Sequence, residues 1–200
     1  MTQKNKPAES WWTELLKTLG LSVFFSFGIT TYAAQSFWIP TGSMEPTLQI
    51  NDRLMVDKVS YRFQEPHRGD IVVFQPTQAL TQRGFKDAFV KRVIGVPGDR
   101  ISVFQGEVII NGHRLAEDYV SHPSSTFIAI CAEGNTAFLS QPQIIPPDHY
   151  LVLGDNRNDS YDGRCWGLVA KQNLVGKAMF RFWPFNRTGV IPTTEPLLRQ

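Results

Sequence analysis

The chain has 200 residues, of which 42% are hydrophobic, 19% charged and 12% aromatic, and its 20 basic and 18 acidic residues leave a net charge of +2. That is enough apolar material for one domain with a core, and too much for a disordered chain. The near-neutral balance without a dense basic run excludes nucleic-acid binding through bulk charge. Two cysteines exclude a disulfide-dense scaffold, and four scattered histidines show no metal-ligand spacing.

No charged residue lies between Lys17 and Glu45, and residues 19–39 read LGLSVFFSFGITTYAAQSFWI. As a helix, that run spans roughly 31 Å, the thickness of a bilayer core. Trp11 and Trp12 precede it and Phe37 and Trp38 close it, as rings at headgroup level do. Ser22, Ser26, Thr30, Thr31 and Gln35 dilute the run, as in a buried helix of a soluble protein, and Tyr32-Ala33-Ala34-Gln35 loosely suggests a cleavage site. The run nevertheless exceeds the core of a signal peptide, which favours an uncleaved anchor. Lys4, Lys6 and Lys17 put the N-terminus in the cytoplasm by the positive-inside rule. The expected organisation is a cytoplasmic segment over 1–18, a transmembrane anchor over 19–39 and an extracytoplasmic domain over 40–200. The lipid bilayer is then a partner, and the location a single-pass plasma-membrane topology or another internal membrane.

After Pro40 the pattern changes to period two. RLMVDKV (53–59), DIVVFQ (70–75), FVKRVIG (89–95), RISVF (100–104), EVII (107–110), YLVLG (150–154) and GKAMFRFW (176–183) read as strands. Gln105-Gly106 and Asn111-Gly112 are hairpin turns, and Pro97-Gly98 fits a type II turn. The fold class expected is mostly β: a single transmembrane helix followed by an antiparallel β core. Pro123, Ser124, Ser125, Pro142, Pro146 and Pro147 break up residues 117–149. The stretch 105–149 is read as an inserted, cap-like β and loop region.

Three segments carry residues suited to chemistry. Pro40-Thr41-Gly42-Ser43-Met44-Glu45-Pro46-Thr47 is a tight turn that can expose a serine beside free backbone N–H groups. In Val90-Lys91-Arg92-Val93 a lysine sits inside an apolar strand. An exposed lysine is protonated at neutral pH, but burial disfavours the ammonium and makes the amine available as a base. The same lysine also suits the gatekeeper of an edge strand. Gly154-Asp155-Asn156-Arg157-Asn158-Asp159-Ser160-Tyr161-Asp162-Gly163-Arg164 packs carboxylates and guanidinium groups into one loop. Its spacing does not match a calcium loop, and its arginines would repel a cation.

Taken together, the segments resemble the bacterial type I signal peptidases, membrane-bound leader peptidases with a Ser-Lys dyad. The resemblance rests on PTGSMEPTL, RGDIVVF, VKRVIGVPGD and GDNRNDSYDGRCWG, in that order. It implies a serine endopeptidase that removes N-terminal signal peptides from secretory precursors, cutting after small residues at −1 and −3. It implies Ser43 as nucleophile, Lys91 as general base, and Thr41 with the Ser43 N–H as oxyanion hole. Ser160 would orient the base, and Arg92, Asp155, Asp162 and Arg164 would support the site through ion pairs. Phe37, Ile39, Met44, Leu48, Leu54, Val73 and Val90 are candidates for lining the substrate pockets. No metal or other cofactor is expected.

Two other readings compete. A LexA-like self-cleaving protein shares the Ser-Lys chemistry, but its Ala-Gly or Cys-Gly cleavage dipeptide occurs nowhere in the chain. A membrane-tethered β-domain that binds without cutting would survive the loss of Ser43 or Lys91. Oligomeric state stays open, as does pairing of Cys131 with Cys165.

Overall fold

In this computed structural model, residues 11–28, 32–120, 126, 131, 137–193 and 198–199 are described. Residues 1–10 of the expected cytoplasmic segment, 29–31 of the expected anchor, and Pro123, Ser124 and Ser125 lie outside them.

Alternating burial marks the first core strand. In β2 (Arg53–Asp57) Leu54 and Val56 are buried while Arg53 and Met55 face solvent. The central strand β3 (Ile71–Phe74) is apolar on both faces, and β4 (Phe89–Gly95) carries core on both sides with Lys91 and Arg92 set into its buried run. With β1 (Ala34–Trp38), β9 (His149–Leu153), β10 (Val169–Ala170) and β11 (Leu174–Trp183) they form a sheet in the order β1-β2-β11-β3-β4-β9-β10. A short β12 (Gly189–Val190) adds to β11. Every pairing is antiparallel, and Val72 stands opposite Lys91 and Leu153 opposite Arg92.

A second antiparallel sheet comprises β5 (Arg100–Phe104), β6 (Glu107–Ile110), β7 (His113–Leu115), β8 (Gln143–Ile144) and β13 (Leu198–Arg199), in the order β13-β7-β6-β5-β8. Gln105, Gly106, Asn111 and Gly112 all have positive φ, so both hairpins turn where the sequence places them. Ile94, Leu151 and Leu153 of the first sheet pack with Ile101, Val108 and Ile110 of the second, so the two share a core. A disulfide joins Cys131 to Cys165, across 34 residues of chain.

The segment before β2 departs from expectation. The helix α1 (Trp11–Gly28) ends well short of residue 39, and among the described residues no helix is long and apolar enough to cross a membrane. Residues 34–38 are instead a strand, with Ala34 opposite Asp57 and Trp38 opposite Arg53. The physical reason is competition for the backbone. Exposed Ser36 and Trp38 alternate with Phe37, which packs on the core, and buried Ile39 closes both N–H and C=O bonds to residues 51 and 52. The expected transmembrane helix is therefore corrected to a shorter helix and a sheet strand. The single-pass plasma-membrane topology, or one in another internal membrane, loses the segment that was to carry it, as does the bilayer partnership built on it.

Where β11 crosses β2, a Cβ at Gly176 would stand 2.0 Å from the Asp57 carbonyl oxygen, a backbone atom with nowhere to go. Gly176→Ala is expected to force the two strands apart at a cost of about 1–3 kcal/mol. Its urea unfolding midpoint should fall accordingly, with the slope unchanged.

Candidate active site

The serine turn and the lysine strand meet. Residues Gly42–Met44 form a single 3-10 turn whose Met44 is buried among Ile39, Leu48 and Leu54, which anchors the turn on the core. Ser43 stays half-exposed at its crest. Lys91, on β4, is only 3% exposed, and its Nζ lies 2.7 Å from Ser43 Oγ and 3.1 Å from the Val90 carbonyl oxygen. Thr41 Oγ1 lies 3.4 Å from Ser43 Oγ.

Burial pushes the Lys91 ammonium down to about 8 from its ordinary value of 10.5. The carboxylates of Asp162 and Asp155 pull the other way, and Arg164 adds to the fall. The Asp162 carboxyl is raised by burial, but the Arg164 charge and hydrogen bonds outweigh this and hold it below the usual carboxylate range.

The loop after β9 clasps the serine turn. The Asn156 N–H donates to the Ser43 carbonyl at 3.1 Å, and Asn156 Nδ2 donates to the Gly42 carbonyl at 3.2 Å. Asp155 accepts from Thr47 Oγ1 at 2.6 Å and is held bidentately by Arg92, at 2.8 Å from Nε and 2.6 Å from Nη2. Gly154 leaves the space this clasp needs, since a Cβ there would lie 2.4 Å from the Ser43 carbonyl oxygen and 2.1 Å from Ser160 Oγ. The Gly154 N–H donates to Asp162, whose carboxylate also takes Arg164 Nε at 2.8 Å and Nη2 at 2.9 Å. Ser160 is buried in this knot. Its carbonyl accepts from Arg164, and among the described residues its Oγ has no hydrogen-bond partner.

Of the seven expected pocket residues, Ile39, Met44 and Val90 line an open cleft of about 670 Å³ that also contains Thr41, Ser43 and Lys91. Leu48, Leu54 and Val73 are fully buried in the core cluster with Ile39 and Met44, and Phe37 packs against that cluster. The rest of the cleft wall comes from Pro40, residues 84–89, Asp159 and Tyr161, and of these residues 84–88 lie outside every strand and motif read from the sequence.

Sequence reasoning also misses Glu117 and Tyr119, which lie in a stretch whose prolines and serines give no periodic signal. Fully buried Arg157 donates to Glu117 at 2.7 Å, to Thr126 Oγ1 at 2.6 Å and to the Gly154 carbonyl at 2.9 Å. Tyr119 donates to Glu117 at 2.8 Å and lays its ring 4.1 Å from the Arg92 guanidinium carbon. Among the described residues, no cluster of three His, Cys, Asp or Glu side chains is placed to hold a metal ion.

A family model described as "Signal peptidase, peptidase S26" matches residues 12–183. The probable signal peptidase I-2 of Synechocystis sp. is 48% identical over 189 residues, covering 94% of this chain and 81% of that protein. The signal peptidase I of Leptolyngbya laminosa is 48% identical over 184 residues, covering 91% of this chain and 85% of that protein. Signal peptidase IB of Staphylococcus aureus is 32% identical over 179 residues, covering 86% of this chain and 90% of that protein.

Glu117→Ala strips the buried Arg157 guanidinium of its carboxylate. It is expected to destabilise the fold by about 3–5 kcal/mol, the cost of an uncompensated buried charge. Chemical denaturation of the variant checks this, and a change within a few tenths of a kcal/mol would show that the pair carries nothing.

Proposed function

The chain belongs to the signal peptidase family, peptidase S26, and on that premise we propose that it removes signal peptides from secretory precursors with Ser43 as nucleophile and Lys91 as general base. The observation that carries the reading is the 2.7 Å approach of a buried lysine amine to a serine hydroxyl on the wall of an open cleft. An amine with its proton affinity brought down to about 8 is neutral in a useful fraction of molecules near neutral pH, where an exposed lysine is not.

In the proposed sequence, Ser43 Oγ gives its proton to neutral Lys91 Nζ and bonds to the scissile carbonyl carbon. The carbonyl π electrons move onto oxygen. Two donors stand ready for that oxyanion: the Thr41 hydroxyl, and the Ser43 N–H, which lies in the first turn of a 3-10 segment and has no partner within the turn. The tetrahedral species collapses, the C–N bond breaks, and Lys91 returns the proton to the leaving amine. Water then gives a proton to Lys91 and attacks the ester, and Ser43 regains its proton as the acid product departs. Arg92, Asp155, Asp162, Arg164 and Ser160 act as positioning residues around this exchange. Ile39, Met44 and Val90 provide an apolar surface for small side chains at −1 and −3.

Purified Lys91→Ala is expected to lose roughly 10²–10⁴ in turnover of a precursor with alanine at −1 and −3, the usual worth of a positioned base. Ser43→Ala should lose at least as much, with both variants folded by circular dichroism. Equal turnover by all three proteins would mean the dyad is scaffold.

The pH dependence has a definite sign. Reaction needs the neutral amine, so kcat/KM of the wild type should fall tenfold per unit below about 8 and level off above it. A profile with no fall on the acid side would remove Lys91 from the role of base.

A further inference from the structure

The cleft that holds Ser43 and Lys91 has two unlike walls. Consecutive residues of β4 point to opposite faces of the sheet. Val90 packs with the cluster of Ile39, Met44 and Leu48, whereas Phe89 packs with the cluster of Phe74, Leu80 and Trp166. Both line the cleft.

The second wall is aromatic and built by a loop. The helix α2 (Gln78–Gln82) buries Leu80 fully, and the chain turns back over it. Arg83 and Phe85 both donate their N–H to the Leu80 carbonyl, at 3.0 and 3.2 Å, and Gly84 takes the left-handed conformation (φ +88) that the reversal requires. The turn delivers Phe85 edge-on to Phe89, with ring centroids 5.4 Å apart, and stacked on Tyr161 at 5.9 Å. Arg83 covers Tyr161 at 5.6 Å from its ring centroid, and Phe89 stacks on buried Phe74 at 5.8 Å. The three rings are thus held from several sides, yet Phe85 remains 40% exposed on a wall of the cleft. A large apolar surface fixed by its neighbours and left open in a cleft is what a ligand side chain covers.

We propose that Phe85, Phe89 and Tyr161 form a subsite for a large apolar side chain at the −2 position of the precursor. The inference rests on the peptidase reading above. An extended peptide lying in the cleft alternates its side chains. With −1 and −3 directed to Ile39, Met44 and Val90, the −2 side chain turns to the opposite wall and meets the rings. Aromatic and long aliphatic side chains suit such a surface, and a short or polar one leaves it uncovered. The loop then selects precursors by a residue that small-side-chain pockets do not read.

Peptides with alanine at −3 and −1 and either phenylalanine or alanine at −2 test this. The readout is the ratio of kcat/KM for the two peptides within one enzyme, in which any loss common to both cancels. The wild type is expected to favour phenylalanine at least tenfold, and Phe85→Ala to lose about tenfold of that preference, within the range that apolar contacts supply. If Phe85→Ala proves unfolded by circular dichroism, Phe85→Ser is read by the same ratio. An equal ratio in wild type and variant, or no wild-type preference, overturns the subsite while leaving the peptidase intact. Failure of the wild type to cut either peptide overturns the peptidase reading, and the subsite with it.

Discussion

Taking a lysine ammonium out of water costs several kcal/mol unless the amine releases its proton or finds a carboxylate, and burial without an ion pair steers Lys91 to the first course, against the pull of the Asp162 and Asp155 carboxylates. Among the described residues four cations are buried: Lys91, Arg92, Arg157 and Arg164. Each arginine has its own carboxylate: Asp155 for Arg92, Glu117 for Arg157 and Asp162 for Arg164. Among the described residues, Lys91 has no ion pair, and the groups within hydrogen-bond reach of its Nζ are the Ser43 hydroxyl and the Val90 carbonyl. Arginine cannot be deprotonated under these conditions and must be paired; lysine can be, and is left as the group that yields.

Those pairs also do geometric work that a purely apolar core would not. Ser43 and Lys91 are far apart in sequence, and the turn that carries Ser43 makes few bonds of its own. Asp155 and Asn156 connect that turn to β4 by way of Thr47, Gly42 and the Ser43 carbonyl. Arg157 then ties the same loop to Glu117, in the region that leads out of the second sheet. A buried ion pair contributes little net stability compared with an apolar substitute, but its bidentate geometry admits few alternatives. Placement of the serine relative to the lysine is the property such geometry serves.

Much of this was legible in the sequence, for identifiable reasons. The strand limits at 89–95, 100–104 and 107–110 follow from alternation bounded by turn residues, and the observed β4, β5 and β6 have those limits. Ser43 and Lys91 stood out because a hydroxyl or a charge interrupts a constrained or an apolar segment, and Asp162 and Arg164 through the density of charge in their loop and the family resemblance that the loop supports. The stretch 34–38 was not legible, because Ala34, Phe37 and Trp38 suit a membrane helix as well as a strand. The choice was made by β2, whose backbone groups they pair with. Glu117 and Phe85 were invisible for a different reason: each derives its importance from a partner remote in sequence, Arg157 or Tyr161, and neither lies in a periodic segment.

The alternation of β4 is what lets one strand serve several purposes at once. Lys91 and Arg92 are neighbours in sequence and both buried, which would set two positive charges against each other if they shared a surface. The pleat sends them to opposite faces. Arg92 goes to the carboxylate of Asp155 and beneath the Tyr119 ring, and Lys91 goes to the serine. The same pleat divides Phe89 from Val90 and so gives the cleft its aromatic and aliphatic walls. A slip of one residue in the pairing of β4 with β3 would exchange all four roles together. The fully buried run Ile71–Phe74 opposite Phe89–Arg92 holds that register, so it protects the chemistry as well as the core.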